Sequence, residues 1–122
     1  EINKQVKKKS KILILGLTFK EDVPDTRNSK VFDLIKYFEK ARHSVDVCDY
    51  LVDPKQLSTI NLKEYKELSD HKYDVLIITV LHSVYKKLKI QDFKKLLKKD
   101  GLIADLKGFW RKKIENDNYW SL

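Results

Sequence analysis

Two short, almost continuously apolar runs constrain this 122-residue chain most strongly. The first is KILIL at residues 11–15, followed by Gly16, and the second is VLIITV at residues 75–80. Runs of this length and composition are typical of strands that a parallel sheet buries on both faces. Both are far shorter than the roughly 20 apolar residues that a membrane-spanning helix needs. The sequence therefore predicts a buried parallel sheet and no membrane span.

A helical pattern and a second strand pattern follow the first run. Apolar residues from Val31 to Phe38 recur with helical spacing and predict a helix, which Asn28 or Ser29 caps. Residues 45–48 alternate with polar neighbours and predict a second strand. A helical crossover of this length joins parallel strands, so the first two strands are expected to be parallel.

The second half of the chain repeats this alternation. Helical patterns near residues 84–88 and 93–97 follow the VLIITV run. Gly101 is expected to end the second helix as its C-cap, and residues 102–106 predict a fourth strand.

Two regions carry weaker patterns. Residues 51–70 are mixed, with a short helix expected near residues 62–68. The tail is expected to pack against the domain because buried positions favour its large apolar side chains. These are Trp110, Ile114, Tyr119 and Trp120.

Strands that alternate with helices indicate an α/β sandwich with a mostly parallel sheet. The length suffices for one domain, which we assign to residues 11–122, with residues 1–10 as a linker or the end of an interdomain helix. The sequence begins Glu-Ile-Asn and contains no Met, which predicts a piece of a longer protein. In such sheets ligands bind beyond the carboxyl ends of the strands, so the loop after the first strand is the first candidate site.

That loop, residues 16–29, reads GLTFKEDVPDTRNS. It has one glycine where the dinucleotide fingerprint G-x-G-x-x-G has three, so side chains rather than a glycine cradle would hold any phosphate. Lys20 and Arg27 provide two cations, and arginine suits bidentate phosphate contact. The alternative is that both are surface charges paired with neighbouring carboxylates, and the residues alone leave both interpretations open.

The net charge of +8 raises the question of nucleic-acid binding. Most of the surplus is lysine, on segments whose helical patterns face solvent, and aromatic residues are not interleaved with these runs as single-strand binding requires. A solvated surface is the favoured interpretation, and a basic nucleic-acid-binding domain is an alternative.

The remaining reactive residue types predict neither a catalytic residue nor a metal site. Cys48 lies inside the second strand and is interpreted as a small buried hydrophobe. His43, His71 and His82 lie in separate segments without metal-ligand spacing, and a polar surface or helix-capping role is favoured for His82. Asp49 ends the second strand where dinucleotide folds place a ribose-binding acid, a role not expected without the glycines.

Residues 16–29 resemble the start of the C-terminal domain of the UDP-glucose and GDP-mannose dehydrogenase family, the nucleotide-sugar 6-dehydrogenases. The family pattern is roughly G-L-x-F-K-x-x-x-x-D-x-R-x-S. The resemblance continues to Ala-Asp-Leu-Lys-Gly at residues 104–108 and covers nearly the whole chain. The matching positions in the loop are Gly16, Leu17, Phe19, Lys20, Asp25, Arg27 and Ser29.

The resemblance implies a Rossmann-like three-layer sandwich that forms the last of three parts of a cytoplasmic, homo-oligomeric enzyme. Such an enzyme oxidises the C6 hydroxymethyl of a UDP-sugar to a carboxylate and reduces two NAD. The upstream domains of the same polypeptide would bind most of the NAD, so this domain alone would be inactive. The sub-pattern with Pro24 and Asn28 is similar to the branch that acts on UDP-N-acetylhexosamines for surface polysaccharides.

The resemblance also implies residue roles. Lys20 is similar to a lysine that contacts the sugar nucleotide, and Arg27 to an arginine that reaches across the domain interface towards NAD. Lys107 lies near a position where relatives place a basic residue on the nucleotide sugar, although a plain surface lysine is the simpler reading. Asp25 either orients Arg27 or shapes the turn, and Gly16, Phe19 and Ser29 complete the motif.

A free-standing regulatory or binding module, such as a receiver domain, is the alternative function. That class has an acidic cluster after the first strand and an Asp closing the third. The third strand here instead ends in Thr79-Val80-Leu81-His82, which argues against it.

Overall fold

The computed structural model describes residues 9–27, 29–110 and 119–121. The strands are β1 (Lys11–Leu15), β2 (Ser44–Cys48), β3 (Asn61–Lys63), β4 (Tyr73–Ile78), β5 (Leu97–Asp105) and β6 (Tyr119–Ser121). The helices are α1 (Val31–Lys40) and α2 (Ile90–Leu96), with 3₁₀ turns at Pro54–Gln56, Tyr65–Glu67 and Ser83–Lys87. All pairings within the described sheet are parallel, and its strand order is β3-β2-β1-β4-β5-β6.

Two core clusters lie on opposite faces of this sheet. Ile12 and Ile14 of β1 belong to the cluster that includes the buried side chains of α1. Leu13 and Leu15 belong to the cluster that includes those of α2. Because successive side chains of a strand point to opposite faces, one continuous apolar run supplies both cores. The expected three-layer α/β sandwich is confirmed.

The start of α1 keeps the predicted side-chain cap at Ser29, although the N-cap position lies one residue later. Its N-cap position is Lys30, one residue after the predicted Ser29, and the Lys30 side chain makes no cap hydrogen bond. The Ser29 hydroxyl instead donates to the Leu17 carbonyl at 2.7 Å and accepts from the Val31 N–H at 3.3 Å. Asn28, the other predicted cap, lies outside the described residues.

The prediction for residues 62–68 was wrong, because β3 and a 3₁₀ turn occupy most of this segment. β3 has three residues, of which Leu62 is buried, and it pairs with β2. Tyr65–Glu67 forms a single 3₁₀ turn in place of the expected helix. A three-residue edge strand has too few side chains to show the alternation typical of strands. β3 is recognisable only by its backbone pairing with β2.

The predicted C-cap at Gly101 was also wrong. α2 ends at Leu96, β5 begins at the next residue, and Gly101 lies within β5. A Cβ atom at Gly101 would stand 2.8 Å from the Cβ of Leu97, so close packing rather than helix termination explains the glycine.

The tail packs as expected where the structure describes it. Trp110 is buried, and its indole N–H donates to the Leu88 carbonyl at 3.0 Å. Tyr119–Ser121 adds β6 alongside β5. Ile114 lies outside the described residues. In the described part of the chain, no helix has the length and apolar character needed to cross a membrane.

The strand order places a topological switch point between β1 and β4. The chain moves outward from β1 through β2 to β3, and then returns to the other side of β1 with β4. Loops that leave neighbouring parallel strands at such a point diverge and create a crevice at the carboxyl edge of the sheet. The loop predicted to carry the chemistry starts at this crevice.

Candidate functional site

The site begins at Gly16, where the loop leaves β1 pressed against the end of β4. Gly16 has a φ of +108°, and a Cβ atom there would stand 2.5 Å from the Val80 carbonyl oxygen. The Thr79 hydroxyl donates to the carbonyls of Leu15 and Gly16 at 3.0 and 2.6 Å. Only glycine fits this backbone conformation and this close approach.

Asp49, directly after β2, fixes the next residues of the loop. Its carboxylate is buried and accepts from the backbone N–H of Leu17 at 2.7 Å and of Thr18 at 3.2 Å. It also accepts from the Leu51 N–H at 2.9 Å and from His82 at 2.8 Å. Although burial acts to raise it, these hydrogen bonds hold the pKa of Asp49 below its ordinary value.

His82 is fully buried beside Asp49, so the predicted surface role was wrong. Its Nε2 lies 2.8 Å from Asp49 Oδ2, and its Nδ1 accepts from the Asp22 N–H at 2.8 Å. A nitrogen that accepts from a backbone N–H carries no proton, so the proton is on Nε2 and the imidazole is neutral. His82 occupies the N-cap position of a 3₁₀ turn, but its side chain makes no cap hydrogen bond.

Asp22 connects the loop to the segment after β4. Its carboxylate accepts from both the backbone N–H and the hydroxyl of Ser83. These hydrogen bonds hold the pKa of the Asp22 carboxyl below its usual range. Asp22 therefore acts as a tether, and its charge already has partners.

A cleft of about 470 Å³ lies between the ends of β1, β4 and β5. Lys20 from the β1 loop and Lys107 from the segment after β5 both line it, together with Phe19 and Val80. Glu21, Asp22 and Val23 complete the lining. Among the described residues, no carboxylate lies within ion-pairing distance of Lys20 or Lys107, whereas Asp22 is engaged by Ser83.

Asp105, the last residue of β5, shapes the turn that carries Lys107. It is fully buried, and its Oδ1 accepts from the N–H groups of Lys107 at 3.1 Å and Gly108 at 2.9 Å. Its Oδ2 accepts from the Trp110 N–H at 3.0 Å and the Tyr119 hydroxyl at 2.6 Å. Asp105 was not among the predicted site residues, although an acidic residue at the end of a buried apolar run is a usable signal.

The crevice at the switch point, which two lysines flank, lies within a stretch of the chain that matches a known protein family. The model of the UDP-glucose/GDP-mannose dehydrogenase family, UDP binding domain, matches residues 13–112. The chain belongs to this family. The match runs from within β1 to beyond β5 and includes every predicted site residue, so the family resemblance of residues 16–29 is confirmed.

Two curated relatives show how much of a family protein this chain represents. Protein CapL of Staphylococcus aureus is 37% identical over 98 residues, 78% of this chain and 22% of CapL. A UDP-N-acetyl-D-glucosamine 6-dehydrogenase of Salmonella typhi is 34% identical over 103 residues, 80% of this chain and 23% of the relative. This chain thus spans about a quarter of the length of the curated relatives it matches.

Solved structures agree with the family assignment. An NDP-N-acetyl-D-galactosaminuronic acid dehydrogenase from Methanosarcina mazei Go1 superposes with a TM-score of 0.76 at 26% identity, over 98% of this chain and 26% of its own. The UDP-N-acetyl-mannosamine dehydrogenase Cap5O from S. aureus has a TM-score of 0.71 at 26% identity, over 98% of this chain and 28% of its own. The Rossmann-like expectation is therefore confirmed.

Arg27, the second cation of the family motif, lies apart from the cleft that Lys20 lines. Its Nε and Nη2 donate to the two carboxylate oxygens of Asp25 at 3.0 Å each, and its side chain is 85% exposed. The backbone N–H of Arg27 also donates to Asp25, at 2.9 Å. Asp25 thus both orients Arg27 and shapes the turn, and the predicted pairing with a neighbouring carboxylate applies to Arg27 but not to Lys20.

The other motif residues have different surroundings. Phe19 is 56% exposed and lines the cleft, while its backbone N–H donates to the Asp25 carbonyl at 2.6 Å. Ser29 closes the loop on itself through the Leu17 carbonyl. The loop therefore presents an aromatic side chain and a lysine at adjacent positions of the cleft.

Cys48 and His43 have structural surroundings. Cys48 is buried in β2, and burial raises the pKa of its thiol to about 12, which removes its nucleophilic form at neutral pH. His43 is buried and accepts from the Ser10 N–H through Nδ1 at 3.0 Å. Within the described residues, no group of three or more His, Cys, Asp or Glu is arranged to hold a metal ion.

The described residues do not fit a dinucleotide of the ordinary Rossmann kind. Asp49, where such folds meet a ribose, already accepts four hydrogen bonds from the protein. Gly16 is pressed against β4, and no further glycine of the loop opens a path for a pyrophosphate. These four hydrogen bonds give Asp49 a role in organising the loop, which the sequence patterns did not indicate.

Proposed function

We propose that this domain binds the nucleotide part of a UDP-N-acetylhexosamine within an NAD-dependent dehydrogenase. That enzyme would oxidise the C6 hydroxymethyl of the sugar to a carboxylate, for a surface-polysaccharide precursor. Membership in a UDP binding domain family supports the nucleotide. The relatives from S. typhi and M. mazei carry names that refer to N-acetylated sugars, which supports the substrate class.

The pair of lysines in the cleft is the observation that carries this proposal. Lys20 and Lys107 line one cleft at the ends of β1 and β5, and among the described residues no carboxylate lies within ion-pairing distance of either one, although Glu21 and Asp22 line the same cleft. A pyrophosphate is a compact anion, so two ammonium groups on either side of it lower its energy without a glycine-rich cradle. Phe19 supplies an exposed apolar surface in the same cleft.

The contribution of this domain to the reaction is positioning. When the domain holds the nucleotide, it also fixes the position of the sugar C6 atom. Part of the entropy that the reaction would otherwise lose is then lost already when the substrate binds. NAD, when bound, would accept hydride; the upstream domains would hold it, and Arg27 would reach towards it. A homo-oligomeric parent enzyme in the cytoplasm belongs to the same proposal.

A ligand titration of the 122-residue chain tests the proposal. Amide chemical shifts are followed while UDP or UDP-N-acetylglucosamine is added. We expect shifts at residues 19–23 and at Lys107, and a dissociation constant that rises about tenfold for either Lys20→Ala or Lys107→Ala. Lys36→Ala, an exposed lysine of α1, is the matched control and should bind as the unmodified chain does.

Two results would contradict the proposal. One is the absence of any response at residues 19–23 with millimolar UDP. The other is equal affinity for UDP in the Lys20, Lys107 and Lys36 variants, because the cleft would then contribute no specific charge. The residues after β4 do not support the alternative from the sequence, a free-standing receiver-like module. β4 is followed by Thr79, Val80, Leu81 and His82, so no acidic residue closes this strand.

A further inference from the structure

We propose that His82 is a positioning residue for Lys20, because its Nδ1 atom holds the Asp22 N–H and so fixes the segment that presents Lys20 to the cleft. The inference rests on the proposed nucleotide-binding role of Lys20. His82 itself is fully buried and does not line the cleft.

The segment from Thr18 to Asp22 is held at both ends. On the amino-terminal side, the Thr18 N–H donates to Asp49 at 3.2 Å and the Thr18 hydroxyl donates to the Lys20 carbonyl at 2.9 Å. On the carboxyl-terminal side, the Asp22 N–H donates to His82 Nδ1 at 2.8 Å. The Lys20 side chain has no described ion pair, so these backbone contacts set its position.

The His82 ring is itself fixed in orientation. Nε2 lies 2.8 Å from Asp49 Oδ2 and 3.3 Å from the Thr18 hydroxyl. The rings of Tyr50 and Tyr85 lie 5.4 and 5.7 Å from it, at 80° and 49° to its plane. Rotation of the imidazole would break the bond to the Asp49 carboxylate, so Nδ1 points at the Asp22 N–H as a fixed acceptor.

The hydrogen bond from Asp22 to His82 helps to hold Asp22 in a backbone conformation that the residue would not favour by itself. Asp22 has a φ of +60°, in the left-handed region that is unfavourable for a residue other than glycine. Such a conformation persists where several contacts determine it together. Here they come from His82 and Ser83, about 60 residues away in the sequence.

Loss of the Nδ1 acceptor would let Asp22 relax to an ordinary conformation and move Lys20. The apparent affinity for an anion falls in proportion to the fraction of molecules whose loop is in the binding geometry. If that fraction falls to about one tenth, the dissociation constant rises about tenfold. His82 would then act on binding through Lys20 without touching the ligand.

Two substitutions separate the two nitrogens of the ring. His82→Asn places an amide oxygen near the position of Nδ1 and retains the acceptor for Asp22. His82→Gln places an amide N–H near the position of Nε2 and retains the donor to Asp49. We expect His82→Gln to weaken UDP binding about tenfold and to shift the Asp22 and Lys20 amide resonances, whereas His82→Asn stays within about threefold of the unmodified chain.

A merely structural His82 predicts a different pattern. Each substitution removes one buried hydrogen bond, so a structural role predicts similar losses of affinity in both variants, and that result would overturn the proposal. Equal, unchanged affinity in both would overturn it as well. If His82→Gln fails to fold, the ¹⁵N shifts of the unmodified imidazole test the contact on which the proposal depends: a proton on Nδ1 would overturn it, because Nδ1 could then not accept from the Asp22 N–H.

The outcome is separable from that of the proposed function. An unmodified chain that does not bind UDP refutes nucleotide binding. The positions of the Asp22 and Lys20 amide resonances in ligand-free His82→Gln and His82→Asn then still test the positioning role. Resonances that do not move in His82→Gln would refute it.

Discussion

The two halves of the loop after β1 differ in what holds them. The first half, residues 16–22, contacts residues 31 to 64 positions away through Asp49, Thr79, His82 and Ser83. In the second half, the described side-chain contacts of Asp25 and Arg27 are with each other, two positions apart, and Arg27 is 85% exposed. The fold therefore fixes Lys20, whereas a local turn orients Arg27.

This difference matches the two proposed ligands. A residue that binds substrate within one domain contributes more affinity if it is fixed before the ligand arrives. The entropy of ordering that residue is then not lost during binding. A residue that reaches another domain needs exposure and local orientation, which the Asp25–Arg27 pair supplies. The variants below test whether the two halves are as different as their contacts indicate.

Asp49→Asn should produce the largest loss of stability. It replaces a buried carboxylate that accepts four hydrogen bonds with a neutral amide whose NH₂ group faces donors. We expect a loss of about 3 kcal/mol in the free energy of unfolding, measured by urea denaturation. Asp25→Asn, the control in the second half of the loop, should leave the unfolding midpoint unchanged. Equal unfolding midpoints for the two variants would show that the two halves of the loop do not differ in their contribution to stability.

Gly16→Ala should have the next largest effect. A methyl group would meet the Val80 backbone at 2.5 Å in a conformation with φ of +108°, and we expect a loss of about 2 kcal/mol. Gly108→Ala is the control, since its φ of 68° lies in the left-handed region that other residues sometimes adopt, at about 1 kcal/mol. A smaller loss at Gly16 than at Gly108 would show that β4 does not constrain the loop.

The pH dependence of stability should separate the unmodified chain from Asp49→Asn. The folded pKa of Asp49 is lowered, because hydrogen bonds to the carboxylate outweigh its burial. Its contribution is therefore complete above the unfolded pKa, near 4, and is lost as the pH falls through the folded pKa. Urea midpoints measured from about pH 6 to pH 3 should converge for the two proteins. If the two plots of urea midpoint against pH run parallel, the lowered pKa of Asp49 does not contribute to stability.

Arg27→Glu should have the smallest effect on this chain and a specific one in the full-length enzyme. The side chain is exposed, so the unfolding midpoint should not change. In the full-length enzyme, we expect the KM for NAD to rise about tenfold while the KM for the UDP-sugar stays the same, because a nearby cation becomes an anion. Unchanged NAD kinetics would refute the role of Arg27 at the domain interface.

Local sequence patterns were sufficient to predict the framework of this fold. β1 occupies Lys11–Leu15 as predicted, and the helical face from Val31 to Phe38 forms α1. The apolar run at residues 75–80 forms β4 at Tyr73–Ile78, shifted by two residues. The shift arises because Thr79 turns back to donate to the end of β1, a contact no local pattern contains.

The arrangement of the site depended on contacts that a sequence does not display. Lys20 and Lys107 were predicted singly, but only the parallel order of β1, β4 and β5 brings them to one cleft. His82 was misassigned to the surface, since its partners Asp49 and Asp22 lie 33 and 60 residues away. A polar residue after a strand can face either solvent or a neighbouring strand end, and the tertiary fold decides between them.

The central claim is that the two cleft lysines bind the pyrophosphate of the substrate, and the ratio of UDP to uridine affinity tests it most directly. The ratio isolates the phosphates, because both ligands share the base and the ribose. We expect the unmodified chain to prefer UDP by at least about tenfold and this preference to disappear in the Lys20→Ala, Lys107→Ala double variant. A double variant that keeps the full preference for UDP would contradict the account.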